Sequence, residues 1–190
     1  DSAPIDIAVA STNVTNLEST VGFQENLVLF SNKGQFVLRG GDLLTSETVS
    51  ITPITNFDQT TGIDPVPLGS FAYFPFTRGN FSGMREFAVS STGDTYNAEE
   101  ITSHVPSYIP KNIIDITGSS NEEVIAVLSS EQTDTLYIYK YYWSGREKVL
   151  SSWSKFNFTG CEIKGIEFID STLYLVVDRN FTSYGSAHPE

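Results

Sequence analysis

One cysteine, one methionine and two histidines in 190 residues leave little for thiol or metal chemistry. The lone thiol, Cys161, excludes an internal disulfide and reads as a small, partly buried hydrophobe. His104 and His188 are far apart in sequence, whereas a metal site needs several ligands at suitable spacing. Basic residues are scarce as well: 11 Lys and Arg stand against 23 Asp and Glu, for a formal charge of −12. That balance argues against a surface that grips nucleic acid phosphates, which needs clustered cations. It favours solubility and says little about the fold. No run approaches the ~20 consecutive apolar residues of a membrane helix, and none reads as the core of a secretion signal. The nucleophile-elbow, Walker A, dinucleotide-binding and HExxH patterns are all missing. Catalytic, cofactor-binding and metal-binding residues are therefore expected to be none, and the chain is expected not to be an enzyme.

Aromatic residues, by contrast, are abundant: 13 Phe, 9 Tyr and 2 Trp, or 13% of the chain. Such residues fit pleated, half-buried surfaces better than helices. They recur in alternating runs broken by Gly, Asn, Asp and Ser, the pattern of antiparallel hairpins. The fullest example is Thr135–Phe158, two aromatic-rich runs joined by a Ser-Gly turn. Weaker versions occur at Asn26–Leu38, turning at Lys33-Gly34, at Phe71–Val89, and at Gly165–Val177, turning at Asp170-Ser171. Ile113–Thr117 and Val124–Leu128 read as further strands, and Ile5–Ala10 as a strand or a linker end. Val49–Phe57 alternates, but Pro53 confines it to an edge or bulge. Asp58–Gly69, with two Pro, two Gly and two Asp, reads as a loop, and Thr92–Tyr96 as a turn. One short helix is expected at Asn97–His104, where Glu99 and Glu100 suit the positive end of a helix dipole and Pro106 ends the segment. The hairpin units start roughly forty to fifty residues apart, the repeat of a propeller blade. The expected fold is all-β: a β-propeller-like array of antiparallel meanders, about four blades or part of a larger propeller. Residues 1–190 are expected to form a single such region excised from a longer polypeptide.

Few side chains invite a chemical reading. Paired carboxylates can hydrolyse glycosides, but Glu99 with Glu100 and Glu122 with Glu123 are sequence neighbours that point in different directions. Asp58 and Asp64 share a loop, where acids usually cap turns. Gly40-Gly41-Asp42 reads as a turn rather than an anion nest. Four N-x-[ST] triplets, at Asn13, Asn80, Asn157 and Asn180, are glycan acceptors only in a secreted eukaryotic chain. Chance occurrence in a chain rich in Asn, Ser and Thr explains them as well. Arg146, Lys148 and Lys155 lie close in sequence to Tyr139, Tyr141, Tyr142, Trp143 and Trp153, a combination that can stack single-stranded nucleic acid. The simpler reading puts one strand face in the core and the cations on the other, with any leftover aromatic patch serving a protein contact.

Several segments go beyond generic β patterning. Pro4–Ala8 (PIDIA), Phe23–Ser31 (FQENLVLFS) and Gln35–Leu38 (QFVL) come first. Leu43, Thr45, Thr48-Val49-Ser50 and Phe81–Glu86 (FSGMRE) follow. Ala98–Pro110 (AEEITSHVPSYIP), Tyr137–Trp153 and Phe168–Val177 (FIDSTLYLVV) complete the series. In order and spacing the chain resembles the tail tubular protein B family, the tail nozzles of short-tailed, podovirus-type bacteriophages. The resemblance implies a structural virion protein with no catalytic residues to carry over. It implies a homohexamer below a tail adaptor protein, a dock for the tail fibre protein, and a channel through which dsDNA passes without specific binding. It also implies that this chain is an internal part of a longer protein. Two readings of the acidic charge stay open: it keeps passing DNA from adhering, or it keeps an outer domain soluble. Two other functions stay open beside the nozzle, a carbohydrate-binding or glycan-hydrolysing propeller and a secreted adhesion propeller.

Overall fold

The computed structural model describes residues 16–23, 26–40, 45, 47–89, 95–145 and 147–179. Those residues form fifteen strands in two compact units, 1–111 and 112–190, and no helix. All pairings are antiparallel.

The first unit holds two meanders. In one, β1 (Leu17–Phe23), β2 (Asn26–Ser31), β3 (Gly34–Arg39) and β4 (Ser50–Thr55) lie side by side in chain order. In the other, β5 (Val66–Leu68), β6 (Phe71–Arg78), β7 (Phe81–Val89) and β8 (Tyr96–Glu100) do the same, and β9 (Ile109–Pro110) pairs with β7. Period-two alternation decides which side chains meet. Val21, Phe23, Val28 and Phe30 of the first sheet pack on Ala72, Phe74, Phe87 and Ala98 of the second. Phe30 meets Phe74 and Phe87 edge-on, with ring centroids 5.4 and 5.7 Å apart, and Phe23 meets Phe87 at 5.7 Å. Contacts of this geometry contribute about 0.5–1.5 kcal/mol each beyond area burial.

The second unit opens on a third meander, β10 (Ile113–Ser119), β11 (Val124–Ser129), β12 (Thr135–Ser144) and β13 (Glu147–Asn157). A two-stranded sheet of β14 (Cys161–Ile169) and β15 (Thr172–Arg179) follows. Ala126, Leu128, Leu136 and Ile138 pack against Ile163 and Ile166. Along the flank, side chains of β10 take up backbone groups of the segment that β14 begins. Ile166 N donates to Asp115 Oδ2 at 2.9 Å and Phe168 N to Thr117 Oγ1 at 3.0 Å. Ser119 Oγ donates to the Asp170 carbonyl at 2.8 Å.

The expected hairpins are present, with differences in detail. The turn after β2 is Asn32-Lys33, and Gly34 already pairs with Ser31. Its glycine serves a close approach instead: a Cβ there would lie 2.8 Å from the Thr55 carbonyl oxygen. Asp170, in the turn expected at Asp170-Ser171, holds a φ of 53°, a left-handed conformation Asp tolerates better than most residues. Pro53 sits in edge strand β4, opposite Phe36, where the register shifts beside Gln35. The expected loop at 58–69 contains β5.

The expected helix at Asn97–His104 is absent. Residues 96–100 are β8, and 101–104 turn back toward β9. Ala98 and Ile101 are the only apolar side chains among residues 97–104, too few for a helical stripe. Alternation places Ala98 in the core while Asn97 and Glu99 face outward, and pairing with residues 85–89 supplies the backbone bonds. Tertiary burial outweighs the dipole preference of two glutamates, which is worth only ~0.3–1 kcal/mol per charge. Ile5–Ala10 and most of Thr92–Tyr96 lie outside the described residues.

Candidate functional site

The residues that first drew a chemical reading are dispersed. Glu99 and Glu100 take opposite faces of β8; Glu99 is exposed, and Glu100 binds Arg78 at 2.5 Å. Asp58 is drawn to Lys33 at 3.3 Å, while Asp64 stands exposed. Glu122 and His104 are exposed and Glu123 is half-buried. His188, Arg146, Gly41, Asp42, Asn13 and Asn180 lie outside the described residues. Asn80 is exposed at the β6–β7 turn. Asn157 is engaged at the end of β13, donating to Thr135 Oγ1 at 3.0 Å and accepting from Thr159 Oγ1 at 2.8 Å. Cys161 is partly buried and accepts from Arg179 Nε at 2.9 Å.

The aromatic ladder of β12 and β13 is mostly a packed face. Tyr137, Tyr139 and Tyr141 are buried, and Tyr139 lies 5.1 Å from Trp153 and 5.7 Å from Tyr141. Lys155 lies on the face opposite to the one that Leu136 and Ile138 turn into the core, although the tyrosines beside it are themselves buried. Register places Lys155 on the tyrosine face, its Nζ 5.2 Å from the Tyr137 ring, and Lys148 Nζ lies 5.0 Å from the Trp143 ring. Their ammonium groups spread along aromatic faces, an attraction of ~0.5–1 kcal/mol at exposed sites. Tyr142, half exposed, lies on the other face.

A cleft that sequence reading missed lies in the first unit. It has a volume of 330 Å³ and is lined by Asn56, Phe57, Asp58, Phe76, Thr77, Arg78 and Arg85. Arg85 sits in mid-β7, opposite Phe74 and Glu100, on the face that carries Phe87 into the core. Its guanidinium carbon lies 4.4 Å from the Phe57 ring centre and 4.6 Å from that of Phe76. Nη1 donates to the Ala98 carbonyl at 2.9 Å, while Nε is buried without an acceptor. Burial pushes the guanidinium below its usual pKa, Glu100 raises it, Arg78 lowers it and Asp58 raises it. Gly83 makes room for the stack: a Cβ there would lie 2.3 Å from Phe76 Cζ. The legible signal was the alternation Gly83, Arg85, Phe87, which puts a cation at a core-facing position. Such a site can hold an anion, and no carboxylate pair converges there for acid–base work. Among the described residues, no cluster of His, Cys, Asp and Glu is arranged to hold a metal, and no helix is long and apolar enough to cross a membrane.

Comparison with known proteins decides the family. The model of the bacteriophage nozzle protein family matches residues 1–187. The chain belongs to the bacteriophage nozzle protein family. It is similar to the tail tubular protein gp12 of Escherichia phage T7, with 33% identity over 186 residues. That alignment covers 97% of this chain and 23% of the relative, so the chain spans about a quarter of the relative's length. As a nozzle-family chain it is a structural component of the phage tail and thus of the virion.

Proposed function

We propose that this chain forms part of the wall of a tail nozzle, a homohexameric tube through which dsDNA leaves the particle. In this reading it has no enzymatic activity and acts by assembly, supporting the adaptor and fibre attachments. The observation that carries the reading is the family match, which runs along nearly the whole chain. Its sheets form a β-propeller-like array within a longer nozzle polypeptide. Support for that arrangement comes from the meanders, which follow one another in chain order with four neighbouring strands each. The first strands of two successive sheets, β10 and β14, are also linked side by side, as the inner strands of adjoining blades would be.

The acidic charge then acts on the DNA. Like charges repel across roughly a Debye length, ~8 Å at physiological salt, so an acidic wall passes DNA without holding it. Replacing exposed Asp64, Glu99 and Glu122 with Lys in the assembled virion should slow DNA ejection, timed on single particles. Ejection at the original rate in particles that carry the variant would remove the channel reading.

A further inference from the structure

The cleft around Arg85 has an unbalanced charge. Asp58, Arg78 and Arg85 line it, and just outside the lining Lys33 pairs with Asp58 and Glu100 with Arg78, so three cations meet two carboxylates and one positive charge is left. Of these groups, Glu100, Arg78 and Asp58 are the charges that act on Arg85. Arg85 itself has no ion pair among the described residues: two phenyl faces and one carbonyl hold it. The guanidinium is half-buried, and beyond the Ala98 carbonyl it has no acceptor among the described residues, with its Nε enclosed and unbonded. The residual charge selects the ligand. A dianionic phosphate would overshoot one net positive charge and meet the repulsion of Asp58 and Glu100, whereas a monoanion balances it. Asn56 and Thr77 add neutral hydrogen-bonding groups to the lining, and Phe57 and Phe76 add apolar surface. At 330 Å³ the cleft lies at the small end of ligand pockets, which start near ~300 Å³.

The geometry points to a carboxylate-binding pocket, with Arg85 as the anchoring cation. The carboxylate comes from an acidic side chain of a neighbouring protein segment or from a small organic acid, and the pocket stands independently of the nozzle reading. Charge-assisted hydrogen bonds from a planar fork suit a carboxylate better than a point cation would.

The test is an NMR titration of the full 190-residue chain. The Arg85 Nε–Hε signal and the amides of Asn56, Asp58 and Thr77 would be followed. Sodium acetate, sodium phosphate and sodium chloride are compared at constant ionic strength, beside two end-blocked peptides, Gly-Glu-Gly and Gly-Gln-Gly. Acetate and the Glu peptide should move these signals saturably, with the Gln peptide at least about tenfold weaker. A tighter Glu peptide assigns the ligand to a protein segment, and parity with acetate assigns it to a small acid. R85Q should abolish the response. R85K, which keeps the charge and loses the fork, should weaken it several-fold and covers the case in which R85Q fails to fold. Phosphate or chloride matching acetate, or a full response in R85K, would overturn the proposal.

Discussion

Arg85 is held by aromatic faces that depend on a glycine two residues earlier. Phe76 is nearly buried, and the space it fills above Gly83 leaves no room for a methyl group. Gly83→Ala should therefore displace the Phe76 ring, loosen the stack and cost about 1–3 kcal/mol, the usual penalty of overpacking. Urea unfolding reads the cost, and a change below 0.5 kcal/mol would mean that the ring moves freely. Asp115 offers a pH-dependent counterpart. Burial raises its carboxyl above the usual value, the Ile166 and Ile116 N–H groups lower it, and Glu167 raises it. A raised acid contributes stability that is present below its unfolded pKa, ~3.9, and is lost as pH rises through the folded value. Asp115→Asn keeps an oxygen for the Ile166 N–H and never ionises. It should be at least as stable as the parent at neutral pH, with its relative advantage vanishing as pH falls below about 4. A variant weaker at pH 7 across an unfolding series would show that the charge itself is needed. Neither residue was legible as special in the sequence. Their roles depend on which side chain lies over Gly83 and which strand lies beside Asp115, and only tertiary packing fixes either.

Strands and turns were more readable than single sites. Alternating aromatics located the hairpins because each strand pair buries one face, so the pattern is a direct consequence of packing. The misread element was β8, where a charged stretch with one alanine carried too little apolar patterning to distinguish period two from period 3.6. The short β5 was hidden for a related reason: three residues with Pro67 at their centre, between Pro65 and Gly69, resemble a loop until β6 supplies a partner. The lateral link between β10 and β14 was also invisible, because it joins side chains of β10 to backbone N–H groups 51 residues away. Thr117 is its centre, buried, accepting from Phe168 N at 3.0 Å and donating to Glu167 Oε1 at 3.2 Å. Thr117→Val keeps the shape and removes both bonds, leaving the Phe168 N–H without its acceptor. A loss of about 1–3 kcal/mol is expected, together with faster hydrogen exchange at the Phe168 amide. Unchanged exchange there would assign the link no energetic role.

For the molecule as a whole, the pointer to assembly came from the family resemblance and not from composition. A chain with few basic groups, one thiol and two histidines offers few of the side chains that thiol or metal chemistry uses, and its aromatics go into packed sheets. Family membership was legible because it is spread over segments along nearly the entire chain, whereas the Arg85 cleft rests on a handful of side chains from separate strands. Of the sequon positions, Asn157 spends its amide on Thr135 and Thr159, while Asn80 is exposed at a turn. A chain of this family is expected to be built into the tail nozzle itself. Immunogold electron microscopy of the phage particles, with antibodies raised against these 190 residues, tests it most directly. Gold at the distal end of the tail is the predicted result; particles that stay unlabelled, both intact and opened, would contradict it.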